Sequence, residues 1–178
     1  MNDDYAEITA RDTVRIERLL PGSLQRVWDY LTVGDLRAQW LAGGDMPERT
    51  DADFALRFHN NALTDDANPP EKYRGRGGPH ALPCRVTVWE PPHRLAYRWG
   101  EDGDEASEVL FELESRGDGV HLLLTHTRLP AHHMASVAAG WHTHLGILIA
   151  RLSGDAPSGF WRTHTRLEAD YAQRLAND

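Results

Sequence analysis

The chain has 178 residues, 40% of them hydrophobic and 26% charged, a size and composition suited to one globular domain with a continuous core. Nineteen Lys and Arg against 27 Asp and Glu give a net charge of −8, which disfavours nucleic acid and anionic membranes as partners. A lone cysteine, Cys84, excludes an intrachain disulfide and a cysteine-based metal site.

Residues 1–11 are polar and acidic and read as a loose N-terminal tail without a secretory signal; no apolar run is long enough to span a bilayer, so a cytoplasmic location is expected. Val14 and Ile16 alternate with Arg15 and Glu17, the period-two pattern of a half-buried strand. Pro21-Gly22-Ser23 ends it, with Ser23 placed to cap a helix that carries Leu24, Val27, Trp28 and Leu31 on one face. A short helix from Asp35 follows, burying Leu36 and Trp40 and stopping at Gly43-Gly44. Phe54, Leu56 and Phe58 mark a strand, and residues 59–83, rich in Asn, Asp, Pro and Gly, read as a long loop of the kind that forms lids. Strands then run through Val86 and Val88, and, after a Pro91-Pro92 turn, through Leu95, Tyr97 and Trp99. An acidic turn spans Gly100 to Ala106, and a hairpin joins Val109–Leu113 to Val120–His126 through Gly117-Asp118-Gly119.

From about Ala131 the period becomes 3.6, with Met134, Val137, Ala138, Trp141, Leu145, Leu148, Ile149 and Leu152 in one apolar stripe that Gly154 terminates. After a linker at 155–159, a last helix aligns Phe160, His164, Leu167, Tyr171 and Leu175; it packs either on its own domain or on a second copy, the latter giving a homodimer.

The element order and four local strings resemble the START-like (SRPBCC) superfamily, and within it the group named after the activator of heat-shock-protein-90 ATPase. The strings are VRIERLLPGSLQRVWDYLT at 14–32, followed by Trp40-Leu41; VTVWEPPHRLAYRW at 86–99; GVHLLLTHTRLP at 119–130; and GWHTHLGILIARLSG at 140–154. The resemblance covers residues 12–154 and implies an α+β helix-grip fold: a curved antiparallel sheet around a long C-terminal helix, with a cavity between them. The superfamily binds sterols, lipids, polyketides or plant hormones, and some members catalyse cyclisation or dehydration. The loop 59–83 and the additional helix within 155–178 depart from the family pattern at the expected cavity mouth, and the tryptophan-containing segment associated with the eukaryotic co-chaperone is absent.

The expected ligand is a small, mostly apolar molecule, bound without a cofactor or metal. Inward parity nominates Val14, Ile16, Arg18, Phe58, Tyr97, Trp99, Phe111, Leu124 and His126 from the strands, and Trp141, Leu145 and Ile149 from the helix, as cavity lining. An inward Arg18 needs a carboxylate partner, and Glu90, on the parity of Val86 and Val88, is one candidate. His126 is either a hydrogen-bonded structural imidazole or, in a cyclase- or hydrolase-type enzyme, an acid/base. His142 and His144 lie about 160° apart on the helix and cannot share a metal; no two His stand at i,i+4 and no H-E-x-x-H occurs. Tyr73 to Gly78 (YRGRGG) reads as a flexible turn rather than an RNA contact, and Cys84 as a small core residue rather than a nucleophile. A chaperone-related interaction module is the other class of function, and it requires an exposed apolar patch.

Overall fold

The computed structural model describes residues 2–101 and 106–177. Glu7–Ala10 (β1), Thr13–Pro21 (β2), Ala52–Phe58 (β3), His80–Glu90 (β4), Arg94–Trp99 (β5), Ser107–Arg116 (β6) and Gly119–Thr127 (β7) form one curved, open antiparallel sheet in the order β1-β2-β7-β6-β5-β4-β3. Leu24–Thr32 (α1) and Gly34–Arg37 (α2) follow β2, while Met134–Ser153 (α3) and Phe160–Asn177 (α4) close the chain. This is the helix-grip α+β architecture, with α3 gripped by the sheet and α4 laid against α3.

Local chemistry sets the helix ends. Ser23 accepts a hydrogen bond from the Arg26 amide at 3.2 Å to cap α1. Gly154 takes the left-handed conformation, φ 76°, that ends α3. At the end of α2, the buried Arg37 guanidinium donates to the carbonyls of Thr32 and Ala42 (both 3.0 Å), Gly43 (3.2 Å) and Gly44. These bonds tie the turn between α1 and β3 to one geometry. Trp40 sits inside it, its indole donating to the Tyr30 carbonyl at 2.8 Å.

Three expectations require correction. Part of the expected N-terminal tail is strand β1, paired antiparallel with β2; its side chains are mostly exposed, so backbone pairing holds it and no apolar alternation marks it. Just before it, the Ala6 amide donates to the Tyr171 hydroxyl at 2.7 Å and Tyr5 donates to Asp170 at 2.8 Å, which docks the segment on α4. The loop expected to reach residue 83 ends at 79, because β4 begins at His80 and runs through Pro83. Proline is tolerated there because β4 pairs with β5 only from Cys84 (opposite Trp99) onward, so the missing N–H falls where β5 has ended. Finally, a bulge at Thr87 shifts the register between Val86 and Val88 and reverses the parity that follows. Trp89 therefore turns inward against Trp28, and Glu90 lies at the surface bonded to Arg94 at 3.1 Å, out of reach of Arg18. Residues 102–105 of the expected acidic turn lie outside the described residues.

Candidate functional site

The loop at 59–79 is built onto α4. The first amides of α4 have no partner within their own helix, and the loop supplies them: Thr64 Oγ1 accepts from Phe160 N at 3.0 Å and Asp66 from Arg162 N at 2.8 Å. The Trp161 indole donates to Asn61 at 2.7 Å. Further along, Lys72 and Tyr73 both donate to Glu168, at 2.6 and 2.9 Å. Burial acts to raise the Glu168 carboxyl, but the Lys72 and Tyr73 hydrogen bonds outweigh it and hold it below its ordinary range.

Between this loop, the ends of β4, β5 and β7, and the facing parts of α3 and α4 lies a cavity of about 290 Å³. Its walls are largely aromatic: Phe58 and Trp99 from the sheet, Trp141 from α3, Phe160 and Trp161 from α4, and Tyr73 from the loop. Ring contacts link them, with Trp99 and Trp141 centroids 5.4 Å apart and Tyr73 stacked on Trp161 at 5.6 Å. Gly140 provides the space on the helix side, since a Cβ placed there would meet no heavy atom within 4 Å.

Three buried imidazoles border the cavity. His126 accepts the Trp141 indole N–H at Nδ1 (2.9 Å), so its proton sits on Nε2, which faces Ser107 Oγ at 2.9 Å. Burial pushes its pKa down to about 3. With both nitrogens engaged, His126 has no lone pair left to act as a general base. His144 donates from Nδ1 to the Trp40 carbonyl at 2.7 Å, and burial lowers it to about 4. His164 is also lowered by burial, and its Nδ1 has no hydrogen-bond partner; Glu168 stands 4.0 Å away. Among the described residues, no group of three or more His, Cys, Asp and Glu is placed to hold a metal ion. The Cys84 thiol is buried and pushed up to about 11 by desolvation.

The model of the family described as "Activator of Hsp90 ATPase homolog 1-like protein" matches residues 22–153. The chain belongs to this family. Among solved structures, that of the protein encoded by gene BPP1335 from Bordetella parapertussis is 43% identical, covers 95% of this chain and 89% of that one, and superposes with a TM-score of 0.81. CalU16 from Micromonospora echinospora (22% identity, 90% and 86% coverage, TM-score 0.67) and EF2215 from Enterococcus faecalis (18%, 98% and 91%, 0.68) share the fold. No curated protein matches the chain significantly.

Within this activator-homolog fold, Phe58, Trp99, His126 and Trp141 are the nominated residues that border the cavity. Ile16, Tyr97, Phe111, Leu124 and Leu145 are instead packed solid in the sheet–α3 core. Val14 belongs to a second cluster with Leu167 and Tyr171 of α4. Ile149 is half-buried and lines a separate surface groove beside α4. Arg18 is inward and 1% exposed, but it lies beneath the N-terminal segment, where burial pulls its pKa down and Tyr171, Asp3 and Asp4 act against that. Parity separates the inner face of the sheet from the outer, but it does not say which inward residues meet empty space. The residues it missed, Asn60, Tyr73, His144, Phe160, Trp161 and His164 among them, come mostly from the two segments that depart from the family pattern. The exposed large hydrophobics among the described residues are Leu19 and Val33, not the patch that an interaction module requires. No helix among these residues is long and apolar enough to cross a membrane.

Proposed function

We propose that this protein binds a small, mostly apolar, ring-containing molecule in the cavity between α3, α4 and the loop at 59–79. The observation that carries the reading is a hollow of about 290 Å³ walled by aromatic rings, set beside the packed sheet–α3 core. That volume lies at the lower edge of small-molecule pockets, roughly 300 Å³ upward. Aromatic walls favour flat rings through offset and edge-to-face contacts, and neutral imidazoles supply the few polar points that orient a ligand. Family membership supports the reading at the level of ligand binding.

Three tryptophans on the wall, Trp99, Trp141 and Trp161, make fluorescence the direct test. Titration with 2-methoxynaphthalene is expected to change tryptophan emission saturably. Gly140→Leu, which places a side chain in the open space, is expected to weaken binding more than tenfold while circular dichroism and the thermal midpoint are retained. A response that does not saturate, or that survives Gly140→Leu unchanged, defeats the proposal.

A further inference from the structure

The hydrogen-bonding state of the cavity wall specifies the chemistry of its ligand, on the reading that the cavity is a ligand site. The Trp40 carbonyl can only accept, so the 2.7 Å contact fixes the proton of His144 on Nδ1. Trp40 is itself immobilised, fully buried with its indole bonded to Tyr30, so the tautomer is locked. His144 is 7% exposed and uncharged at neutral pH, which leaves Nε2 as a bare lone pair on a residue of the cavity wall. No donor from the described residues reaches Nε2.

Another polar atom of the wall points the same way. Asn60 Oδ1 and His164 Nδ1 are both buried without a hydrogen-bond partner. The Asn60 oxygen can only accept, whereas His164 Nδ1 faces the Glu168 carboxylate at 4.0 Å. His126 is the contrasting case, because the Trp141 indole already fills its lone pair. Buried acceptors without donors are rare in folded proteins and call for an explanation. The charged donor of the wall, Arg76, is solvent-exposed on the loop, at the rim rather than in the interior.

We propose that the ligand presents a hydroxyl or ring N–H to Nε2 of His144, and that His144 is the residue setting this preference. A carboxylate in the same position would face a lone pair and lose its hydration without a donor in return; an anionic group is accommodated only at the Arg76 rim. A ligand without a donor displaces solvent from the His144 acceptor and returns no hydrogen bond, so it binds less tightly than an analogue that carries one.

The test uses 2-naphthol, 2-methoxynaphthalene and 2-naphthoate as probes, with affinities measured by calorimetry on the full chain. One neutral hydrogen bond, on the order of 1–1.5 kcal/mol, predicts that 2-naphthol binds about tenfold more tightly than the ether, with 2-naphthoate weakest. His144→Asn retains an N–H for the Trp40 carbonyl and removes the ring acceptor, so the tenfold ratio is expected to fall to about one. As a measurement independent of the variant's folding, the Nε2 resonance of His144 in the unaltered protein, followed by imidazole nitrogen NMR, should move with 2-naphthol and stay in place with the ether. Equal affinity for 2-naphthol and the ether, a ratio that persists in His144→Asn, or an unmoved Nε2 resonance overturns the assignment to His144 while leaving the cavity reading intact. If none of the probes binds, the cavity reading fails and the assignment falls with it.

Discussion

The two halves of α3 meet very different surroundings. Its later turns present Leu145, Leu148 and Leu152, all nearly fully buried, to a sheet face filled by Ile16, Leu20 and Leu124. Its earlier turns present Gly140, Trp141 and His144 to a hollow that the loop and α4 enclose. The same helix is a solid core element at one end and a cavity wall at the other. What differs is side-chain volume, since a glycine and large rings that cannot fill a corner leave space where leucines interlock. Apolar character alone therefore does not locate a binding site.

The largest expected effect distinguishes the halves by charge. Burial holds His126 near 3 and both His142 and His144 near 4, and His164 shifts in the same direction. An unfolded histidine titrates near 6.5. As pH falls below about 6.5 the unfolded chain takes up protons that the folded chain refuses, so stability is fully present above that pH and is lost toward pH 4. Each such histidine contributes a slope approaching about 1.4 kcal/mol per pH unit, and three together roughly 4. Urea unfolding at pH 7, 6 and 5 is expected to show a loss of several kcal/mol, and amides around His126 and His144 should lose hydrogen-exchange protection before those around Leu148. A flat profile across this range would show that these imidazoles are not held neutral.

The next effect probes packing. Leu145→Ala, in the filled half, is expected to cost about 2–5 kcal/mol in urea denaturation, because the surrounding core cannot collapse into the vacated space. Val137→Ala removes a half-buried side chain already beside the hollow, and should cost roughly 1 kcal/mol. Similar losses at both positions would mean that the two ends of α3 are packed alike.

Much of this contrast was unreadable before the structure, for physical reasons. Periodicity located α3, α4 and the central strands because burial on one face imposes it, and the four family-like strings identified the helix-grip fold. It also placed Trp99, His126 and Trp141 inward. It did not find His144, on the edge of the apolar stripe of α3, because that edge is buried by contacts distant in sequence, the Trp40 carbonyl and the Phe160 ring of α4. The bulge at Thr87 likewise breaks the alternation on which the parity of Glu90 depended. Asn60 and Tyr73 lie in a segment whose composition signals only a loop, and their positions follow from hydrogen bonds to α4 that no spacing encodes. His164 and Phe160 were legible as one face of a helix, but the cavity that they border was not.

The smallest effect is the sharpest test of the hollow itself. Gly140 lies inside a 20-residue helix, where glycine is less favourable than alanine by roughly 0.5–1 kcal/mol because of the backbone entropy it loses on folding. On the sheet-facing side of the later half, where Leu145 and Leu148 are fully buried, an added methyl group would have to displace a neighbour, and the strain would offset that gain. At position 140 a Cβ meets no heavy atom within 4 Å, so Gly140→Ala should recover the full helix-propensity gain. For a chain of this length that corresponds to a rise in thermal midpoint of about 1–4 °C. A lowered midpoint would mean that atoms occupy the space beside Gly140, and the distinction between the filled and hollow ends of α3 would then be lost.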